Sequence, residues 1–145
     1  MGTILSLDYG LKRIGVAISD PDRKFAFPRK VIANKDFKHV LSSIKNLIEE
    51  NEIYLIIIGL PLNMPGVKNE KSKMTKTVED FVKKLKQKVN ISIELIDERL
   101  SSFTAEQNLF ETGIKSKKIK SLVDSEAARI LLEEYIEKYK HQNAK

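Results

Sequence analysis

The chain has no cysteine and no tryptophan, and only two histidines, four prolines and six glycines in 145 residues. Without cysteine there is no disulfide and no thiolate metal site, which fits a reducing compartment. His39 falls in a helix candidate and His141 near the C-terminal tail, so a zinc centre is not expected. No apolar run approaches the roughly 18 residues that a membrane span needs. The first run meets Asp8 too early for a signal-peptide core. A cytoplasmic protein that does not enter the membrane is expected. Repeats, low-complexity tracts and domain linkers are missing too, so residues 1–145 read as one domain, long enough to bury a proper core.

What is present is charge. Lys and Arg number 26 against 20 acids, a net +6. The excess is local. Residues 68–90 hold eight Lys against Glu70, Glu79 and Asp80, and Lys115, Lys117, Lys118 and Lys120 follow with no acid between them. Patches of this kind suit a polyanion such as nucleic acid, although a Lys-rich solvated surface gives the same composition.

The hydrophobic period changes along the chain. Residues 3–8 read as a strand buried on both faces, and 13–19 as a second strand across a glycine-containing hairpin turn. Residues 25–33 read as a third, which Pro28 assigns to a sheet edge. From about Asp36, Val40, Leu41, Ile44, Leu47 and Ile48 mark one face of a helix that Asn34 or Asp36 can cap. Residues 53–58 are uninterrupted apolar, the mark of a central strand, and run into a Pro- and Gly-rich loop from Gly59 to Gly66. A polar loop is expected to about Thr75. Val78, Phe81, Val82, Leu85 and Val89 then predict a second helix, and residues 91–96 a last strand. Thr104 opens a capping box for a helix ending near Gly113. Ile114 to Lys120 reads as a basic linker, followed by a helix over 121–139. The fold class is therefore α/β: a mixed five-stranded sheet, three antiparallel strands then α-β-α-β, with helices on both faces.

In such sheets ligands bind beyond the carboxyl ends of the strands. Asp8, the Gly59 to Gly66 loop and Asp97-Glu98-Arg99 all fall at such ends. Alternation gives Ile4, Ser6 and Asp8 one face, and lets only one of Asp97 and Glu98 share a site. Asp124 heads a helical stripe with Ala128, Leu131 and Tyr135, although Ser121-Leu122-Val123-Asp124 is itself a capping box. Crowded carboxylates without His or Cys favour Mg²⁺ or Mn²⁺. Two such ions roughly 3.5–4 Å apart suit phosphodiester hydrolysis.

Four stretches resemble one family. Asp8-Tyr9-Gly10-Leu11-Lys12-Arg13-Ile14-Gly15 is similar to the opening motif of the YqgF/RuvX family, and Gly59-Leu60-Pro61-Leu62-Asn63-Met64-Pro65-Gly66 to its second. Asp97-Glu98-Arg99-Leu100 resembles its third, and Val123-Asp124-Ser125-Glu126-Ala127-Ala128-Arg129 its fourth. The resemblance spans essentially the whole chain. It implies an RNase H-like fold related to the Holliday-junction resolvases, and a nuclease that matures the 5′ end of precursor 16S rRNA. It implies Asp8, Glu98 and Asp124 as catalytic, metal-holding acids, with Glu98 preferred to Asp97. Lys12, Arg13 and Arg99 would face the phosphate backbone, joined by the basic patch at Lys115, Lys117 and Lys118. Gly59, Pro61, Asn63 and Gly66 would be the site's loop residues, and the turn after Asp8 one wall of the site. Leu60-Pro61 stands where related resolvases carry a ligand Glu, so Glu98 must supply that acid.

Other readings predict different behaviour. A DNA junction resolvase would work as a symmetric dimer; for a nuclease acting on precursor rRNA within a ribosomal particle, monomer and homodimer both stay open. A phosphate-binding ATPase domain also uses Asp-x-Gly in a hairpin, but this chain has no second lobe to close over ATP. A non-catalytic RNA-binding assembly factor would tolerate loss of the Asp8 carboxylate.

Overall fold

The structure, a computed structural model, describes residues 2–60, 70–97 and 116–143. Three strands come first: β1 (Thr3–Asp8), β2 (Arg13–Ser19) and β3 (Ala26–Ala33). Helix α1 (Phe37–Asn51), strand β4 (Ile53–Leu60), helix α2 (Glu70–Lys86), strand β5 (Ser92–Asp97) and helix α3 (Ser116–Asn143) follow. The sheet order is β3-β2-β1-β4-β5. β2 runs antiparallel to both β1 and β3, while β4 runs parallel to both β1 and β5. This is the mixed sheet that the hydrophobic pattern predicts, with Pro28 on the edge strand β3.

Strand alternation divides the core into two layers. On one face Leu5, Leu7, Val16, Ile56 and Ile58 pack against Val40 and Ile44 of α1 and Phe81 and Leu85 of α2. On the other, Ile4, Ala17, Leu55 and Ile57 pack against Ala128, Leu131, Leu132 and Ile136 of α3. β4 shows why its sequence does not alternate. Ile56, Ile57 and Ile58 are all fully buried, on alternate faces, and each contributes about 1.5–3 kcal/mol by burial.

α1 begins where Asp36 accepts a hydrogen bond from the His39 backbone N–H at 2.7 Å and so caps the helix. Asp36→Ala should cost about 1 kcal/mol, read as a lower midpoint in urea with unchanged slope. At the other end Glu52 adopts a left-handed conformation (φ 51°) that turns the chain into β4. The β2–β3 turn is tied by Asp20, whose carboxylate accepts from the N–H groups of Lys24 and Phe25 at 2.7 and 2.8 Å.

Several boundaries differ from the sequence expectation. β4 continues to Leu60, so Gly59 is a strand residue rather than the start of the loop. α2 starts at Glu70 and not near Thr75, and it ends at Lys86, short of Val89. The largest change is in α3. Residues 116–120, read as linker, are its first turn and more. Lysine is a good helix former and no Gly or Pro interrupts 116–124, so the helix extends through the basic run. Ser121 and Asp124 are then interior to the helix and do not form its N-terminal capping box. The helix expected over 104–113 lies outside the described residues. Among the described residues no helix is long and apolar enough to cross a membrane.

Candidate active site at the carboxyl end of the sheet

Asp8 ends β1 and is 9% exposed, the most enclosed acidic side chain among the described residues. It shares the α3 face with Ile4 and Ser6. The Ser6 hydroxyl donates to the Ala128 carbonyl at 2.8 Å, and so docks α3 onto β1 two residues before Asp8. α3 crosses the sheet obliquely. The Ser125 hydroxyl donates to the Arg29 carbonyl on β3 at 2.7 Å, and the Tyr135 hydroxyl reaches Glu94 on β5 at 2.7 Å. Asp124 precedes Ala128 by one helical turn; its side chain lies outside the described residues.

The strand register gives Asp8 unusual neighbours. Its partner on β2 is Gly15. On β4, one residue beyond the Leu7–Ile58 pair, is Gly59. Both flanking positions on the sheet therefore lack a side chain, and the carboxylate stands in a notch. Gly15 also lies at the irregularity in the β2–β3 ladder, where the pairing slips between Ile14 and Val16. Sequence reasoning missed this role for Gly15, because only the register reveals it.

Arg13 has the parity of Gly15 and Ala17, which sets it on Asp8's face at the rim of the notch. Lys12 is exposed in the turn. That turn is braced by a residue the sequence offered only as a helix cap. The Asn34 side-chain amide donates to the Gly10 carbonyl at 2.8 Å, and the Asn34 backbone N–H donates to the Lys12 carbonyl at 2.9 Å. Asn34→Ala removes the first bond and leaves the second. It should cost about 1 kcal/mol of stability, and reduce cleavage by more than its stability loss would, because Lys12 and Arg13 lose their fixed position.

The carboxyl ends of β1 and β5 are separated by β4, about 10 Å at ordinary strand spacing. Two carboxylate side chains with a cation between them can span that gap. On β5, Glu94 bonds to Tyr135 and Ile96 packs on the α3 layer, so even-numbered positions face α3. Glu98, Arg99, Lys115, Pro61, Asn63 and Gly66 lie outside the described residues. Lys117 and Lys118 are in the first turn of α3, and their side chains lie outside the described residues as well. Among the described residues no three acidic or histidine side chains form a metal-holding group.

Beyond the notch, Arg129 on α3 pairs with Glu126 and Glu133 along the helix. The Glu126 carboxylate beside it raises the affinity of its guanidinium for the proton. This cation is occupied in an intrahelical network.

The sheet order and the two helical layers have solved counterparts. The chain superposes on T. thermophilus RuvC in complex with a Holliday junction substrate with a TM-score of 0.58, covering 99% of this chain and 97% of that one. Identity is 10%, so the likeness is one of fold, the RNase H-like fold of the resolvases. In sequence the chain is 43% identical over 133 residues to a protein of Maridesulfovibrio salexigens named "Putative pre-16S rRNA nuclease", covering 92% of this chain and 96% of that one. It is 41% identical over 145 residues to a protein of the same name from Sulfurihydrogenibium, covering 99% and 95%. A model of the RuvX family, described as Holliday junction resolvase, matches residues 2–138. Fold, motif order and sequence agree over nearly the whole chain: this protein is a nuclease of the RuvX family.

Proposed function

We propose that this nuclease is a metal-dependent endonuclease of one domain that trims the 5′ end of precursor 16S rRNA, with Asp8, Glu98 and Asp124 holding Mg²⁺ or Mn²⁺. The observation that carries the reading is Asp8: an enclosed carboxylate at a strand end, flanked by Gly15 and by the Gly59 position. Two glycine positions beside an enclosed carboxylate leave room at the strand end for a hydrated cation. The donor chemistry fits as well, since oxygen ligands without His or Cys select hard divalent ions. An acid on β5 that faces α3 must hold an even position, as Glu94 and Ile96 do; that parity favours Glu98 over Asp97.

Bound between these acids, one or two cations would supply electrophilic assistance to attack by water and to departure of the leaving oxygen. The chain's own residues do the rest. Asp8 is held by the β1–β2 ladder, so its carboxylate needs no reorganisation when the substrate arrives. Arg13 and Lys12, with Arg99, Lys115, Lys117 and Lys118, neutralise phosphates and position the strand without reading its sequence.

RNA is favoured by the name the close relatives carry, and a DNA junction by the family description and the RuvC complex. The test offers purified protein with Mn²⁺ both substrates, an rRNA precursor with its 5′ extension and a four-way DNA junction. Cleavage of the RNA at a defined 5′ position is expected. Resolution of the junction alone, by a stable dimer, would replace this reading with the resolvase one.

A further inference from the structure

The turn that carries Asp8 has a second side. Tyr9 follows Asp8 directly and points to the opposite face of the sheet, where it packs against the α1/α2 layer. There it lines a cavity of about 320 Å³ with Phe37 and Phe81, rimmed by Asn34, Asp80 and Lys84. We propose that this cavity takes one unpaired nucleobase of the nucleic acid strand, from a nucleotide flanking the cut. The inference rests on the nucleic-acid reading above and adds to it how the strand is held in register.

Three features argue for a base. First, aromatic side chains are scarce. Six Phe and four Tyr are all the chain has, and three of them meet at this one cavity. Phe81 is buried and forms the floor, with Tyr9 tilted on it at 4.9 Å between ring centroids and Phe37 edge-on at 6.1 Å. Tyr9 and Phe37 are only partly buried, so each keeps ring surface toward the cavity. Unstacked bases are bound by stacking on such rings. Second, the rim carries acceptors. Asn34 spends its amide N–H on the Gly10 carbonyl, which leaves its carbonyl oxygen as an acceptor, and Asp80 is an exposed carboxylate. Acceptors of this kind pair with the exocyclic amine of adenine, cytosine or guanine; uracil has only its ring N3–H to offer them. Third, Lys84 sits 5.8 Å over the Phe37 ring, a cation at the mouth beside Lys83 and Lys86 in the last turn of α2. A phosphate joined to the seated base would meet positive charge.

The cavity and the acidic notch share the braced turn at residues 9–12. Seating a base on one side therefore fixes which phosphate lies against the other.

Because the chain has no tryptophan, Tyr9→Trp places a sole tryptophan, selectively excited at the red edge, in the cavity wall. The measurement uses this variant with Asp8→Asn, so that bound RNA is not cut, and follows both Trp emission and the anisotropy of a labelled single-stranded RNA. Phe37→Trp, in the facing wall, is a second reporter should the first not fold. The expected result is quenching that tracks RNA binding and is stronger for oligoadenylate than for oligouridylate. Asp80→Ala, an exposed change, should weaken the adenylate titration roughly tenfold. RNA that binds by anisotropy while both reporters stay silent would overturn the base pocket and leave the nuclease reading standing. Failure of RNA to bind at all would overturn both.

Discussion

Asp8→Asn should cut nucleic acid at least about 10³-fold more slowly than the wild-type chain, while folding cooperatively as before. Electrophilic assistance by a divalent cation contributes several kcal/mol to phosphoryl transfer, and each ~1.36 kcal/mol is tenfold in rate. The change replaces one oxygen by nitrogen, keeps the shape and removes the charge. Asp8 is 9% exposed and fixed between β2 and β4, so the substituted side chain keeps its place. The same variant separates the catalytic account from a purely binding one. A ligand that binds only the folded state adds stability by mass action, about 2.7 kcal/mol at a hundredfold excess over its dissociation constant. Mn²⁺ should therefore raise the unfolding midpoint of the wild-type chain and leave that of Asp8→Asn in place. Residual cleavage equal to wild type would remove Asp8 from the reaction.

Gly10→Ala is the second large effect, and its cause is steric. A Cβ at this position would stand 2.4 Å from the Arg13 carbonyl oxygen, which is backbone and cannot rotate away. The β1–β2 turn must open, at a cost of about 1–3 kcal/mol for overpacking. Opening moves Arg13 and strains the Asn34 bond to the Gly10 carbonyl. A displacement near 1 Å at a reacting group costs about 10²-fold in rate. The variant should lose more activity than stability, as measured by single-turnover cleavage well below its unfolding midpoint. Activity near wild type would mean that the turn does not position the site.

The fold was legible where one local signal dominates. The unbroken apolar run of β4 predicts a strand covered on both faces, and Ile56 to Ile58 are so covered. Pro28 predicts an edge, and β3 is one. α3 was misjudged at its start because two local signals compete there. A capping box at Ser121 suggests an N-terminus, but the helix-forming run before it carries the helix back to Ser116.

The site was legible in part. Asp8 stands out as an acid that ends an apolar run. Gly15 does not, because its place opposite Asp8 depends on the β1–β2 register. Asn34 reads as a helix cap, and its actual partners, Gly10 and Lys12, lie 24 and 22 residues earlier in the chain, across a hairpin. The choice between Asp97 and Glu98 could not be made from alternation alone. The Tyr135–Glu94 contact shows that the even-numbered positions of β5 face α3, which is information no alternation pattern carries.

The central claim is that Asp8, Glu98 and Asp124 share one cation site. Mn²⁺ binding, followed by electron paramagnetic resonance of the free ion, tests it without any substrate. Asp8→Asn, Glu98→Gln and Asp124→Asn should each lose the tightest site, and Asp97→Asn should keep it. Wild-type binding by Asp8→Asn, or loss in Asp97→Asn with retention in Glu98→Gln, would contradict the account.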